Sequence, residues 1–155
     1  MHHASTPSGG QPENLHAGTP AIINHTAEAA RLRKTIALAE EAIRCAAGHR
    51  SAEHAEGETA EETALRWDEA ARIEAAAKDC RKAARKALAS VAVFRDVHAP
   101  AEIAAKIETA RVYALGLKAV IDESQRANAN RQIRIMARQI AAAVAADRSK
   151  KGGAQ

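Results

Sequence analysis

The densest group of reactive side chains in this 155-residue sequence is a run of bases, Arg81-Lys82-x-x-Arg85-Lys86. On a helix, spacings of four stack Arg81 over Arg85 and Lys82 over Lys86. Such a strip suits sequence-independent contact with phosphates, weakened by salt. It suits equally a solvated face that complements a helix dipole, and that plainer reading is preferred. A second set of bases, Arg148, Lys150 and Lys151, closes the chain. No aromatic residue interleaves either group, so stacking on single-stranded bases is not expected. Nucleic acid is thus the alternative partner, with these seven residues as its contacts.

Cys45 and His49 share a helix face at i, i+4, and His54 follows. Sulfur and nitrogen could ligate a metal, but this spacing fits no established zinc pattern. A core-like cysteine and loop histidines are expected, without a metal. The adjacent acids Glu40-Glu41 and Glu61-Glu62 lack further carboxylates in register and read as solvated faces or caps. Neither a glycine-rich phosphate loop nor a nucleophile elbow occurs. No cofactor, small-molecule substrate or catalytic residue is expected, so the chain reads as non-enzymatic.

Composition points the same way. The hydrophobic fraction is 46%, yet 41 of those residues are alanine. Leu, Ile, Val and Phe number 25, which is thin for one large core. Trp67, Phe94 and Tyr113 are the only aromatics, too few for an ordinary β-sandwich or barrel. A net charge of only +4 and abundant helix formers argue against a wholly disordered chain. No apolar run approaches the roughly 18 residues of a membrane span. Two cysteines make no disulfide framework, and no signal-peptide core opens the chain, so a cytoplasmic location is expected.

The expected fold is all-α: an elongated antiparallel three-helix bundle with alanine-rich, coiled-coil-like seams, or four helices if the last one breaks near Asn128. Residues 1–25 read as a flexible tail, 26–149 as the bundle and 150–155 as a disordered C-terminus. The first helix, about 26–47, carries Leu32, Ile36, Ala39, Ile43 and Ala46 in a 4-3-4-3 seam. Asn24 or Thr26 would cap its start, and Gly48 would cap its end.

Thr59-x-x-Glu62 fits a capping box, so the second helix should run from 59 to about 96. It has two apolar faces. One includes Leu65, Ile73, Ala77, Cys80, Ala84, Leu88 and Val91; the other includes Ala60, Ala64, Trp67, Ala71 and Ala75. Two faces imply two neighbours, so this helix should be central, with the first helix or a partner along Trp67.

The third helix should start at Pro100 and end near 149. Its seam is Ile103, Ile107, Ala110, Ala114, Leu117 and Ile121, resuming after a polar stretch as Ile133, Met136, Ile140 and Val144. Ser124, Asn128 and Arg131 interrupt it. Buried, they would fix register; exposed, they would mark a kink, which is the preferred expectation. No Gly or Pro stops the helix there, so continuity is preferred over a break.

Charge also predicts the hairpin. The second helix begins acidic and ends basic, and the third ends basic. A turn near His98 would bring Glu62 to Arg134, Asp68 to Arg126 and Arg131, Phe94 to Ile103, and Ile73 to Ile121. The expected function is non-catalytic: a helical interaction or scaffold protein acting through self-association or a partner protein. The faces offered to such a partner are Ala64, Trp67 and Ala71, and Leu65, Ile73 and Leu88.

Overall fold

The computed structural model describes residues 23–93 and 100–153. Among them are three helices and no strand: α1 His25–Ser51, α2 Ala60–Val93 and α3 Pro100–Gly152. The chain is an all-helical three-helix bundle in which α1 and α3 each pack against α2. Expectations for residues 1–22, for Phe94 to Asp96 and for Val97 lie outside the described residues.

Local signals place the helix starts. Asn24 Oδ1 accepts from the Ala27 N–H at 3.0 Å, capping α1. The capping box of α2 closes in both directions. Thr59 Oγ1 accepts from the Glu62 N–H at 3.2 Å, and Glu62 Oε2 accepts from the Thr59 N–H at 3.0 Å.

The end of α1 differs from expectation. Gly48 lies inside the helix, which continues to Ser51. The Ala52 N–H donates to the Gly48 carbonyl, and a distant side chain takes the next one: the Arg66 guanidinium donates to the carbonyl of His49, and beyond the helix to that of Glu53. Glu58 pairs with the same guanidinium at 3.1 Å and is itself buried. A tertiary donor thus replaces the local glycine cap. The left-handed residue of this connection is Gly57, at φ +82°. A side chain there would be strained and would meet Ile135 Cγ2 at 3.1 Å.

The core is layered along the bundle axis. One cluster joins Leu32, Ala84, Ala87, Val91, Ile103, Ile107 and Ala110. The next joins Ala39, Ala42, Ala77, Cys80 and Leu117, with Ile73 and Ile121 packed against it. Most of the expected seam positions are therefore interior. Leu65 is not: it is 48% exposed, and Ala70 takes the inward position.

Beyond these clusters the interior turns polar. Arg131 is 3% exposed and holds Glu69 with both terminal nitrogens, at 3.4 and 3.0 Å. Asn128 Oδ1 accepts from Arg131, and the Ser124 hydroxyl reaches Glu69. The expected kink is therefore wrong: α3 is continuous through Asn128, Arg131 is buried against α2 and Ser124 is half-buried, while Asn128 is exposed. One further turn on, Glu62 takes Arg138 at 2.5 Å and Arg134 at 3.6 Å. The Glu62–Arg134 pairing is the one anticipated. Asp68 is exposed and gives its expected place to Glu69, one residue further along.

Two expectations for α3 change. Its helix includes Lys150, Lys151 and Gly152 rather than fraying at 150. The second stretch of seam also turns outward, because Arg131, Ile135 and Arg138 occupy the side facing α2 and its preceding loop. Ile133, Met136, Ile140 and Val144 are all exposed.

The Glu62 carboxyl is held at about 2, well below its ordinary 4.5, first by Arg138 and then by the Thr59 N–H. A depressed carboxylate contributes stability that is complete above its ordinary value and is lost as pH falls through about 2. Thermal melts between neutral and acid pH should show this loss, and Glu62→Gln, which keeps the capping box, should flatten it. An unchanged acid slope in the variant would assign the loss to other carboxylates. Removing one partner of a buried pair leaves an uncompensated charge. Glu69→Ala should therefore cost about 3–5 kcal/mol in urea unfolding, whereas Glu69→Leu with Arg131→Met should recover most of it.

Candidate functional site

A closed three-helix bundle buries three helix-helix contacts. Here two are made, while α1 and α3 scarcely touch. The result is a groove with α2 as its floor and α1 and α3 as its walls. It comprises two adjoining hollows of about 500 and 380 Å³ that share Leu38 and Ile121.

The first hollow is mostly apolar, with Leu38, Leu115 and Ile121 at its walls and Cys80 on its floor. Burial pushes the Cys80 thiol up, so it behaves as a small apolar residue. The second hollow is more polar and includes Cys45, His49, Ser124 and the Glu69–Arg131 pair. The groove therefore grades from apolar to polar as the core beneath it does. Leu38 is 69% exposed at the junction of the two hollows.

The anticipated partner face on α2 lies elsewhere. Ala64, Trp67 and Ala71 are on the solvent side, with Trp67 45% exposed. The first helix does not cover them; it packs along Ala77, Cys80 and Ala84 instead. Ile73 and Leu88 are half-buried against the two core clusters, so they serve the interior.

The basic strip is divided. Arg85 pairs with Glu40 of α1 at 2.7 Å, and Arg81 is half-buried. Lys82 and Lys86 are exposed. Arg148 and Lys150 are exposed at the far end of α3, where Lys151 pairs with Asp147 at 2.9 Å. The Glu62–Arg134 and Ser90–Lys106 contacts set Arg85 level with about residue 111 of α3. The two basic groups therefore lie on the order of 50 Å apart along the bundle, at 1.5 Å per residue.

Cys45 donates to Glu41, and His54 Nδ1 lies 2.7 Å from the Thr63 hydroxyl. These residues are thus engaged separately rather than converging. Among the described residues, no three His, Cys, Asp or Glu side chains gather as a metal-ligand group. No family model matches the chain, and no curated protein or solved structure matches it.

Leu38 and Leu115 are the groove residues that seam-reading passed over. Each stands beside a seam alanine, Ala39 or Ala114, at an outer position where a polar residue is usual on an amphipathic helix. A large aliphatic residue there was the available signal. Neither carries the core, so in protein dilute enough to be a single copy Leu38→Glu and Leu115→Arg should each change urea-unfolding stability by no more than about 0.5 kcal/mol. A loss of several times that size would mean the hollow is closed in solution.

Proposed function

We propose that the chain is a non-catalytic helix-docking protein whose α1–α3 groove receives an amphipathic helix, completing a four-helix arrangement. The carrying observation is the open third side of the bundle, where Leu38 and Leu115 flank an apolar hollow of about 500 Å³. A helix laid in such a groove buries its apolar stripe against three walls and keeps its polar face in water. The polar second hollow would fix direction and register, as polar groups at a mostly apolar seam do.

The phosphate-binding alternative has less behind it. Arg85 is already neutralised by Glu40, and the remaining bases form two separated groups rather than one continuous track. Among the described residues, no helix is long and apolar enough to cross a membrane. The partner is therefore read as protein.

A photo-crosslinking residue placed at 38, inside the groove, and at 71, on the outer face of α2, tests the reading in living cells. Adducts from position 38 should map to one face of a helix, with few or none from position 71. Equal labelling from both positions, or labelling from 71 alone, would exclude the groove as the docking site.

A further inference from the structure

The groove and the C-terminal extension of α3 are both unpartnered, and we propose that each is filled by the other from a second copy of the chain. The product is a reciprocal antiparallel dimer. This inference rests on the groove reading above and names the occupant.

The helix lengths create the extension. α1 has 27 residues, α2 has 34 and α3 has 53. Past Ile135 no described residue of α3 is buried. Arg131 to Gly152 spans about 32 Å at 1.5 Å per residue, and the α1 wall from Glu28 to His49 spans about the same. The extension is thus as long as the groove.

Its apolar side chains fit that role. Ile133, Met136, Ile140 and Val144 follow a 3-4-4 spacing on the side of α3 away from Arg131, Ile135 and Arg138. Such a stripe is a helix face without a neighbour. In the groove it would meet Leu38, Leu115, Leu117 and Ile121.

Charge selects the direction. Every acid of α3 except Asp147 lies before residue 124: Glu102, Glu108, Asp122 and Glu123. The later half carries Arg126, Arg131, Arg134, Arg138, Arg148, Lys150 and Lys151. A parallel pair of α3 helices would set the two basic ends against each other, whereas an antiparallel pair sets each basic end against a mixed stretch in which Asp122 and Glu123 accompany Arg111, Lys118 and Arg126, so repulsion is far smaller. With Ile140 opposite Ile121 of the second copy, Val144 meets Leu117, while Arg138 keeps Glu62 on the opposite side of the helix. Lys151 then falls within a turn of Glu108. Arg111, opposite Lys150, is already paired with Glu108 at 3.0 Å. The exchange is two-fold and self-complementary, so it closes at a dimer and forms no filament.

Sedimentation of the full chain across micromolar concentrations tests this, with Ile140→Lys in the extension and Leu38→Glu in the groove. The unaltered chain should be a dimer. Each substitution should weaken it roughly 100-fold, because each dimer carries the buried charge twice. Circular dichroism should remain unchanged, since both positions are exposed in the single chain. Mixing the two variants should restore a heterodimer, in which one native extension enters one native groove.

An unaltered chain that stays monomeric overturns the proposal yet leaves the groove for another helix, which crosslinking from position 38 reads independently. A dimer broken by Ile140→Lys but not by Leu38→Glu places the extension elsewhere and overturns the proposal, again leaving the groove to the crosslinking test. A dimer broken by Leu38→Glu but not by Ile140→Lys, a dimer indifferent to both, or a mixture without heterodimer also overturns the proposal.

Discussion

Ala39, Ala77, Ala84 and Ala87 are fully buried and carry nothing beyond Cβ, so α2 can approach α1 and α3 closely while little apolar area leaves water. Burying a single carbon group gains roughly 0.8 kcal/mol, against about 1.5–3 for a whole Leu or Val side chain. The large residues that do enter the core, such as Leu32, Val91, Ile103 and Leu117, therefore carry most of its hydrophobic stabilisation. They come from all three helices but converge on α2. There is no comparable set joining α1 to α3, which is why the bundle stays open on that side.

Close-packed alanine seams specify register weakly, since one small side chain resembles the next. The polar end supplies what they lack. Arg131 and Glu69 can form their forked pair at only one offset of α2 and α3, and any slip would leave both charges buried and unpaired. Glu62 with Arg138, and Arg138 with the Gly57 carbonyl at 2.8 Å, tie the same offset to the loop before α2. The Arg66 guanidinium ties that loop to the end of α1. Apolar contact makes the bundle adhere, and this chain of charge-assisted hydrogen bonds sets its alignment.

That alignment also determines what is left over. Once Glu62 is level with Arg134, α2 ends while α3 continues for about 18 residues, or roughly 27 Å. The surplus helix retains an apolar stripe and four of the ten bases of α3. The groove is an apolar hollow between α1 and α3 that no described helix fills. Both unpartnered surfaces follow from one cause, three helices of unequal length with contacts centred on the middle one.

Much of this was legible in the residues alone. The capping box at Thr59 and Glu62, the 4-3-4-3 seam of α1 and the acid-to-base gradient of α2 are local or periodic signals. They place helices and orient a hairpin whatever surrounds them. What sequence could not settle was which of two apolar faces would be covered. Trp67 with Ala64 and Ala71 competed with Ala77 and Cys80, and periodicity alone gives both equal standing. The choice depends on a sum over contacts with Leu32, Ile36 and Ile43 of another helix. Likewise, Arg131 is an exposed kink or a buried clasp according to whether Glu69 stands opposite it, 62 residues away in the chain. The outward turn of Ile133, Met136, Ile140 and Val144 follows from that clasp. A helix has one phase, and once Arg131, Ile135 and Arg138 face α2, the apolar stripe must face away.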